Sequence, residues 1–359
     1  MKTILDIPDL KDKKILLRVD FDVPVDKQGI IIDSFRVKQQ KETIDLLVSR
    51  GAKVFMVAHS NYIISFELIV EQLQDLLGYT IKFIHDIQTV SKRQINEGLA
   101  LLENIRVHEG EKKNDTNLGQ LLSAGFDYYI NNAFAECHRN YVSVSAVTKF
   151  LPSYAGLLIE KETQQLQKVI DAPPEGKIII IGGAKASTKI PVIKNLINKA
   201  EAVIVGGVIA NDILKSKGED VGNAIVDNNL EELFSGLDLN DPRIIMPDDF
   251  NLFENRMPDI GPLSVKKFSE IINQASMIVW NGPVGIFEDE RFTAGTKGIA
   301  EAVAGSRSFK VLGGGDTISA VEKFGLLDRF DFVSTGGGAM LAFLAGDKLP
   351  GLEALGYYK

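Results

Sequence analysis

The 359-residue sequence has a single cysteine, a single tryptophan and only four histidines. Cys137, having no partner, excludes an internal disulfide, and a cytoplasmic location is expected. Long hydrophobic runs are missing as well: the longest, 178–181 and 202–210, fall well short of the roughly 18 residues of a spanning helix, so no membrane association is expected. Lys2, Asp6, Asp9 and Lys11 interrupt the N-terminal residues, which therefore lack the apolar core of a secretory signal. Positive charge is not in excess. Lys and Arg number 40 against 48 Asp and Glu, a net −8, which disfavours nonspecific attraction to nucleic acid and requires a local basic patch for any bound anion. No Walker sequence is present, no Gly-x-Gly-x-x-Gly opens the first unit, and no internal repeat of fixed period is visible.

What is there is a well-mixed composition, 45% hydrophobic and 25% charged, typical of a folded globular chain. The length argues for about two domains. Short β-branched runs alternate with amphipathic stretches, the pattern of parallel strands joined by crossover helices, so both halves are read as α/β. Strands are expected at 14–20, 53–58, 81–84, 100–102 and 128–131, then at 177–181, 202–205, 243–246, 277–280, 309–312 and 332–333. A helix is expected over 66–77, with Ser65 as N-cap and Gly78 as its stop. A polar helical stretch at 160–170, followed by Ala172-Pro173-Pro174, reads as a linker, and the domain boundary is placed near residue 155.

Four glycine-rich turns each follow an expected strand of the second half: Gly182-Gly183-Ala184-Lys185, Gly206-Gly207, Gly313-Gly314-Gly315-Asp316-Thr317, and Ser334-Thr335-Gly336-Gly337-Gly338. In open α/β sheets ligands bind beyond the carboxyl ends of the strands, where glycine admits close backbone approach and helix N-termini favour phosphate. One such turn is only a tight connection. Four together point to a nucleotide. Lys185 and Lys189, four apart at a helix start, are expected on one face, where two cations at a positive helix end are disfavoured unless an anion joins them. Solvated surface lysines remain the plain alternative. Asp316 is either an N-cap or a magnesium ligand beside phosphates.

The first half carries Arg18, Arg36, His59, Arg106, His108, His138 and Arg139 at strand ends and loops, a pattern suited to a small anionic substrate because the guanidinium fork pairs with carboxylate or phosphate. Surface salt bridges are the alternative for any one of them. Cys137 beside His138 does not make a nucleophile pair, because neighbours on a strand face opposite ways.

Along almost its whole length the sequence resembles the phosphoglycerate kinase family. The resemblance runs through Leu17-Arg18-Val19-Asp20-Phe21-Asp22-Val23-Pro24, Asp33-Ser34-Phe35-Arg36, Leu102-Glu103-Asn104-Ile105-Arg106 and Asn131-Asn132-Ala133-Phe134. It continues through Gly182 to Ile190, Asp259-Ile260-Gly261-Pro262, Trp280-Asn281-Gly282-Pro283, Gly313 to Thr317 and Ser334 to Ala339. It implies an α/β protein of two Rossmann-like lobes with parallel sheets, joined by a linker helix and hinge. The expected division is 1–154 for phosphoglycerate, with a C-terminal tail 345–359 packing back on it, and 155–344 for nucleotide. Implied substrate residues are Asp20, Phe21, Asp22, Arg36, His59, Arg106, His138 and Arg139. Implied nucleotide residues are Gly182, Lys189, Gly206, Gly207, Asn281, Pro283, Glu288, Gly314, Gly315, Asp316 and Thr317, with Asp316 holding Mg2+. Arg36, Lys185, Lys189, Gly337 and Gly338 are the implied catalytic set.

The implied reaction is reversible phosphoryl transfer between 1,3-bisphosphoglycerate with ADP and 3-phosphoglycerate with ATP, by a monomer that closes about its hinge. The carboxylate acceptor is already ionised and needs no general base. This sequence departs from the family at Asp22, where the family has Asn, and at His59-Ser60-Asn61-Tyr62-Ile63, where the family has His-Leu-Gly-Arg-Pro. Asn132, Thr188 and Met257-Pro258 depart as well. Losing the loop arginine removes a charge-assisted contact of about 1.5–3 kcal/mol, and Asp22 adds a carboxylate facing an anionic substrate. A catalytically weak nucleotide-binding homologue, or a kinase for another phosphorylated carboxylate, therefore stand as alternatives.

Overall fold

The computed structural model describes residues 1–87 and 99–358, and within them the chain forms two compact units, 1–164 with 348–359, and 165–347. In the first unit, β1 (Lys14–Arg18), β2 (Lys53–Val57), β3 (Ile81–Ile84), β4 (Leu99–Leu102), β5 (Tyr128–Asn131) and β6 (Ser153–Ala155) form one sheet, ordered β3-β4-β2-β1-β5-β6. Every adjacent pair is parallel. Alternate residues of a strand point to opposite faces, and here both faces are covered. Ile15, Leu17, Val54 and Met56 enter one core, while Leu16, Phe55 and Val57 enter the other. Doubly covered strands read as continuous apolar runs, which is why they are easily found in the sequence.

The second unit holds β7 (Lys177–Ile181), β8 (Ala202–Val205), β9 (Ile244–Ile245), β10 (Phe250–Phe253), β11 (Arg256–Ile260), β12 (Met277–Asn281), β13 (Phe309–Gly313) and β14 (Phe332–Ser334). Its main sheet runs β14-β13-β12-β7-β8-β9, again parallel. Strand order reverses between β7 and β12, and ligands bind beyond the strand ends at such a switch point.

Two expected elements need correction, and one element was not expected. The helix read over 66–77 is broken at Ile69 into a 3-10 turn, Phe66–Leu68, and an α-helix, Val70–Leu77. Its ends are as expected: Ser65 Oγ accepts from Glu67 N, and Gly78 closes the helix in a left-handed conformation at φ 77°. The antiparallel hairpin β10–β11 was not anticipated, because its two-residue turn is Glu254-Asn255, both at positive φ, with no glycine to mark it. The linker helix spans Leu157–Asp171 and starts earlier than 160. Its opening N–H groups are tied to the first unit: Leu157 N donates to Thr43 Oγ1 (3.1 Å) and Leu158 N to Asn132 Oδ1 (3.1 Å). The first compact unit extends to Gln164, within this helix, and takes in the chain again from Lys348.

Candidate active site

In the second unit a cleft of about 270 Å³ opens at the carboxyl ends of the strands, lined by mostly apolar atoms of Gly183, Gly207, Asn211, Ile225, Met257 and Ile286, among others. Of the nucleotide residues expected from the sequence, Gly207, Pro283, Glu288 and Asp316 line it. Gly182 and Gly206 lie buried beneath its wall. A Cβ on Gly182 would strike the Pro283 carbonyl, and one on Gly206 would strike Val284, so both glycines let the turns after β7, β8 and β12 approach one another. Gly183 N donates to Pro283 O (2.6 Å) and Gly207 N to Val284 O (2.9 Å), closing those turns on each other. Thr317 Oγ1 accepts from Gly282 N (2.7 Å), while buried Asn281 Nδ2 has no hydrogen-bond partner among the described residues and faces Gly314.

Lys185 and Lys189 are not equivalent members of one helical face. Lys185 is the exposed N-cap of the helix Ala186–Leu196, held at φ 65° outside the helical conformation. Lys189 is buried, and its Nζ donates to the Gly182 carbonyl. Burial brings its pKa down to about 8, with Lys185 acting in the same direction and Asp316 against it. Asp316 is exposed in the first turn of the helix Gly315–Lys323. Gly337 and Gly338 open the helix Gly337–Ala345, with Gly337 next to Gly314.

The first unit gathers its cationic residues with Asp20 and Asp22, both expected from the sequence, and with Glu136, which was not. Arg36 Nη1 lies 3.5 Å from Asp20 Oδ2 and donates to the Asp22 carbonyl (3.3 Å). His59 Nε2 stands between Asp22 Oδ2 (3.6 Å) and Glu136 Oε2 (3.7 Å), and Arg106 Nη2 lies 3.9 Å from the same Glu136 oxygen. Arg106 and exposed Arg139 flank the Tyr141 ring, at 4.8 and 5.9 Å from its centroid. Burial raises the pKa of Asp20 against the pull of Arg36. For Asp22, burial opposes ionisation, but His59 and Asn61 outweigh it and bring the carboxyl down to about 2.

Asp20 Oδ2, Glu136 Oε2, Arg106 Nε and His138 Nδ1 are all buried without a hydrogen-bond partner among the described residues. Unsatisfied polar atoms concentrated in one place are what an absent polar ligand would satisfy. One expected contact, that of the Phe21 side chain, falls away here, and the reading of Cys137 as no nucleophile stands. Phe21 is fully buried in the core and packs edge-on against Phe66, so its side chain cannot reach a ligand. Cys137 is buried, and burial with Glu136 beside it pushes the thiol upwards, which rules out a ready thiolate.

A family model described as phosphoglycerate kinase matches residues 4–347. The chain belongs to the phosphoglycerate kinase family. It is 38% identical to the phosphoglycerate kinase of Dictyoglomus turgidum over 391 residues, covering 99% of this chain and 98% of the relative. With that of Francisella tularensis subsp. novicida it shares 36% identity, over 98% and 97%. The crystal structure of phosphoglycerate kinase from Pyrococcus horikoshii superposes with a TM-score of 0.87 at 32% identity, covering 99% of this chain and 98% of that one. The Coxiella burnetii structure gives 0.85 at 30%, with the same coverage. The activity is that of a phosphoglycerate kinase of glycolysis, a phosphotransferase with a carboxyl acceptor, using ATP or ADP. No helix among the described residues is long and apolar enough to cross a membrane.

Some residues of the two sites carry no signal in the sequence. Asn211, Ala224 and Ile225 line the cleft although no glycine or charge flags them; Asn211 Nδ2 reaches the Ile225 carbonyl (3.2 Å) across an irregular segment. Glu136 and Tyr141 organise the arginines, yet in the sequence they are unremarked neighbours of Cys137 and Arg139.

Proposed function

We propose that the first unit binds the phosphoglycerate and the second binds the nucleotide with Mg2+. The observation carrying this reading is the buried ammonium of Lys189 beside the cleft, with one carbonyl as its hydrogen-bond acceptor and the opening turns of two glycine-led helices nearby. Met257 and Ile286 offer the apolar wall that a base requires, and Glu288 offers a carboxylate for the ribose hydroxyls. Among the described residues no cluster of three or more His, Cys, Asp or Glu could hold a metal. Mg2+ is commonly held through one or two carboxylates together with substrate phosphates and water, and here Asp316 would be the carboxylate. When bound, the ion would neutralise phosphate charge.

In this reading Arg36, Arg106 and Arg139 neutralise the phosphoglycerate, and His59 helps to orient it. Its carboxylate, ionised at neutral pH, is the nucleophile, so no residue has to remove a proton. Lys189, Lys185 and the N–H groups of Gly337 and Gly338 stabilise the charge spread over the transferring phosphoryl group. Closure of one unit on the other brings the substrates together and expels water. The sole, buried cysteine fits a cytoplasmic enzyme.

A coupled assay with ATP, 3-phosphoglycerate and Mg2+ tests the assignment. Lys189→Ala is expected to lower kcat by about 10²–10³-fold, the usual loss when one preorganised charge donor is removed. A kcat within twofold of wild type would sink the role given to Lys189.

A further inference from the structure

Arg18, the last residue of β1, is wholly buried and spends its guanidinium on three partners. Nε donates to Ser143 Oγ (2.9 Å), Nη1 to the Val19 carbonyl, and Nη2 lies 2.8 Å from His59 Nδ1. Ser143 passes the contact on. Its Oγ donates to Glu111 Oε1 (2.6 Å) and its N–H to Glu111 Oε2 (3.0 Å), and both residues are also wholly buried. A buried carboxylate thus balances a buried guanidinium across one hydroxyl.

A guanidinium has donors and no acceptor, so His59 Nδ1 must be the acceptor of the Arg18 bond and the ring proton sits on Nε2. That atom points at the cluster described above, with Asp22 at 3.6 Å and Glu136 at 3.7 Å. We propose that Arg18 is a positioning residue of the phosphoglycerate site: backed by Ser143 and Glu111, it holds His59 in the Nε2–H tautomer and aims that N–H at the substrate. The proposal rests on the placement of phosphoglycerate beside His59. It adds to that placement a buried chain, Glu111–Ser143–Arg18–His59, that sets which atom of the ring donates.

The test is nitrogen-15 NMR of histidine-labelled protein at about pH 8, with His59→Gln identifying the His59 signals, combined with steady-state kinetics. Wild type is expected to show the Nε2–H tautomer. Ser143→Ala leaves Arg18 Nε and Glu111 without their shared partner. In this variant the ring is expected to exchange between tautomers, and KM for 3-phosphoglycerate to rise about three- to tenfold with kcat within about twofold. Ser143→Thr, which keeps the hydroxyl, is expected to restore both. Should Ser143→Ala not fold, Glu111→Gln is expected to move tautomer and KM in the same direction. An Nδ1–H tautomer in wild type, or variants matching wild type in both readouts, overturns the proposal. If 3-phosphoglycerate leaves the His59 signals unmoved while the tautomer is as expected, the relay exists but does not serve substrate, and the placement of phosphoglycerate fails with it.

Discussion

Lys189 ties activity and stability to pH in opposite senses. Its pKa is lowered from 10.5 to about 8, first by burial, so the folded protein holds this proton less tightly than the unfolded chain does. Between those values the unfolded state binds more protons, and folded stability therefore rises with pH as the penalty of a buried charge is relieved. Phosphate binding needs the ammonium form and pulls the other way. Accordingly kcat/KM for ATP, which reports the free enzyme, is expected to fall above about pH 8, approaching tenfold per pH unit. Bound phosphates raise the Lys189 pKa, so kcat is expected to hold to higher pH. Steady-state kinetics from pH 6.5 to 10 measures both. The same inflection in kcat and kcat/KM would assign the titration to a different group.

The loop His59 to Ile63 shows how one element can depart from its family and still be well built. Asp22 accepts from Asn61 N (2.7 Å) and Asn61 Nδ2 (2.8 Å), Ser60 Oγ accepts from Tyr62 N (3.1 Å), and Asn104 holds the Ser60 and Ile63 carbonyls. The Asp22 carboxylate, read from sequence as a repulsive charge, is engaged as a clamp on this loop. Tyr62 is left 57% exposed and near enough to Arg36 to influence it. Tyr62→Arg is expected to lower KM for 3-phosphoglycerate about tenfold or more, with kcat within twofold, since a charge-assisted contact is worth about 1.5–3 kcal/mol. An unchanged KM would place the substrate phosphate away from this loop.

Legibility at this scale followed from how each element is specified. Strands such as Lys177–Ile181 and Tyr128–Asn131 are fixed by burial on both faces, and the sequence reading placed them to the residue. The glycine turns after them were legible for the same reason, as they mark strand ends. By contrast, the three-residue β6, the hairpin turn at Glu254-Asn255 and the cleft contacts of Asn211 and Ile225 arise from tertiary neighbours and leave no local period or composition to detect.

At the scale of the whole molecule, the chain's last residues belong with its first unit. Leu349, Leu352 and Leu355 are buried there, Gly351 N donates to the Cys137 carbonyl (2.9 Å), and Tyr358 OH accepts from Leu349 N (3.1 Å). Gly351 sits so close that a Cβ would lie 2.9 Å from Cys137 Cα and 3.0 Å from its sulfur. The tail is therefore part of what seals the only thiol in the protein, and burial of three leucines, about 1.5–3 kcal/mol each, makes it a substantial part of the first unit's core. Because Cys137 stands alone, its reaction with an aromatic disulfide reagent reports this seal without ambiguity. Native protein is expected to react slowly. Gly351→Leu, which drives a side chain into the Cys137 backbone, and deletion of residues 349–359 are both expected to speed the reaction by about tenfold or more and to lower the thermal midpoint by several degrees. ATP binding measured by calorimetry is expected to stay within about twofold, since the tail belongs to the other unit. A labelling rate unchanged by either variant would show that Cys137 is sealed without the tail.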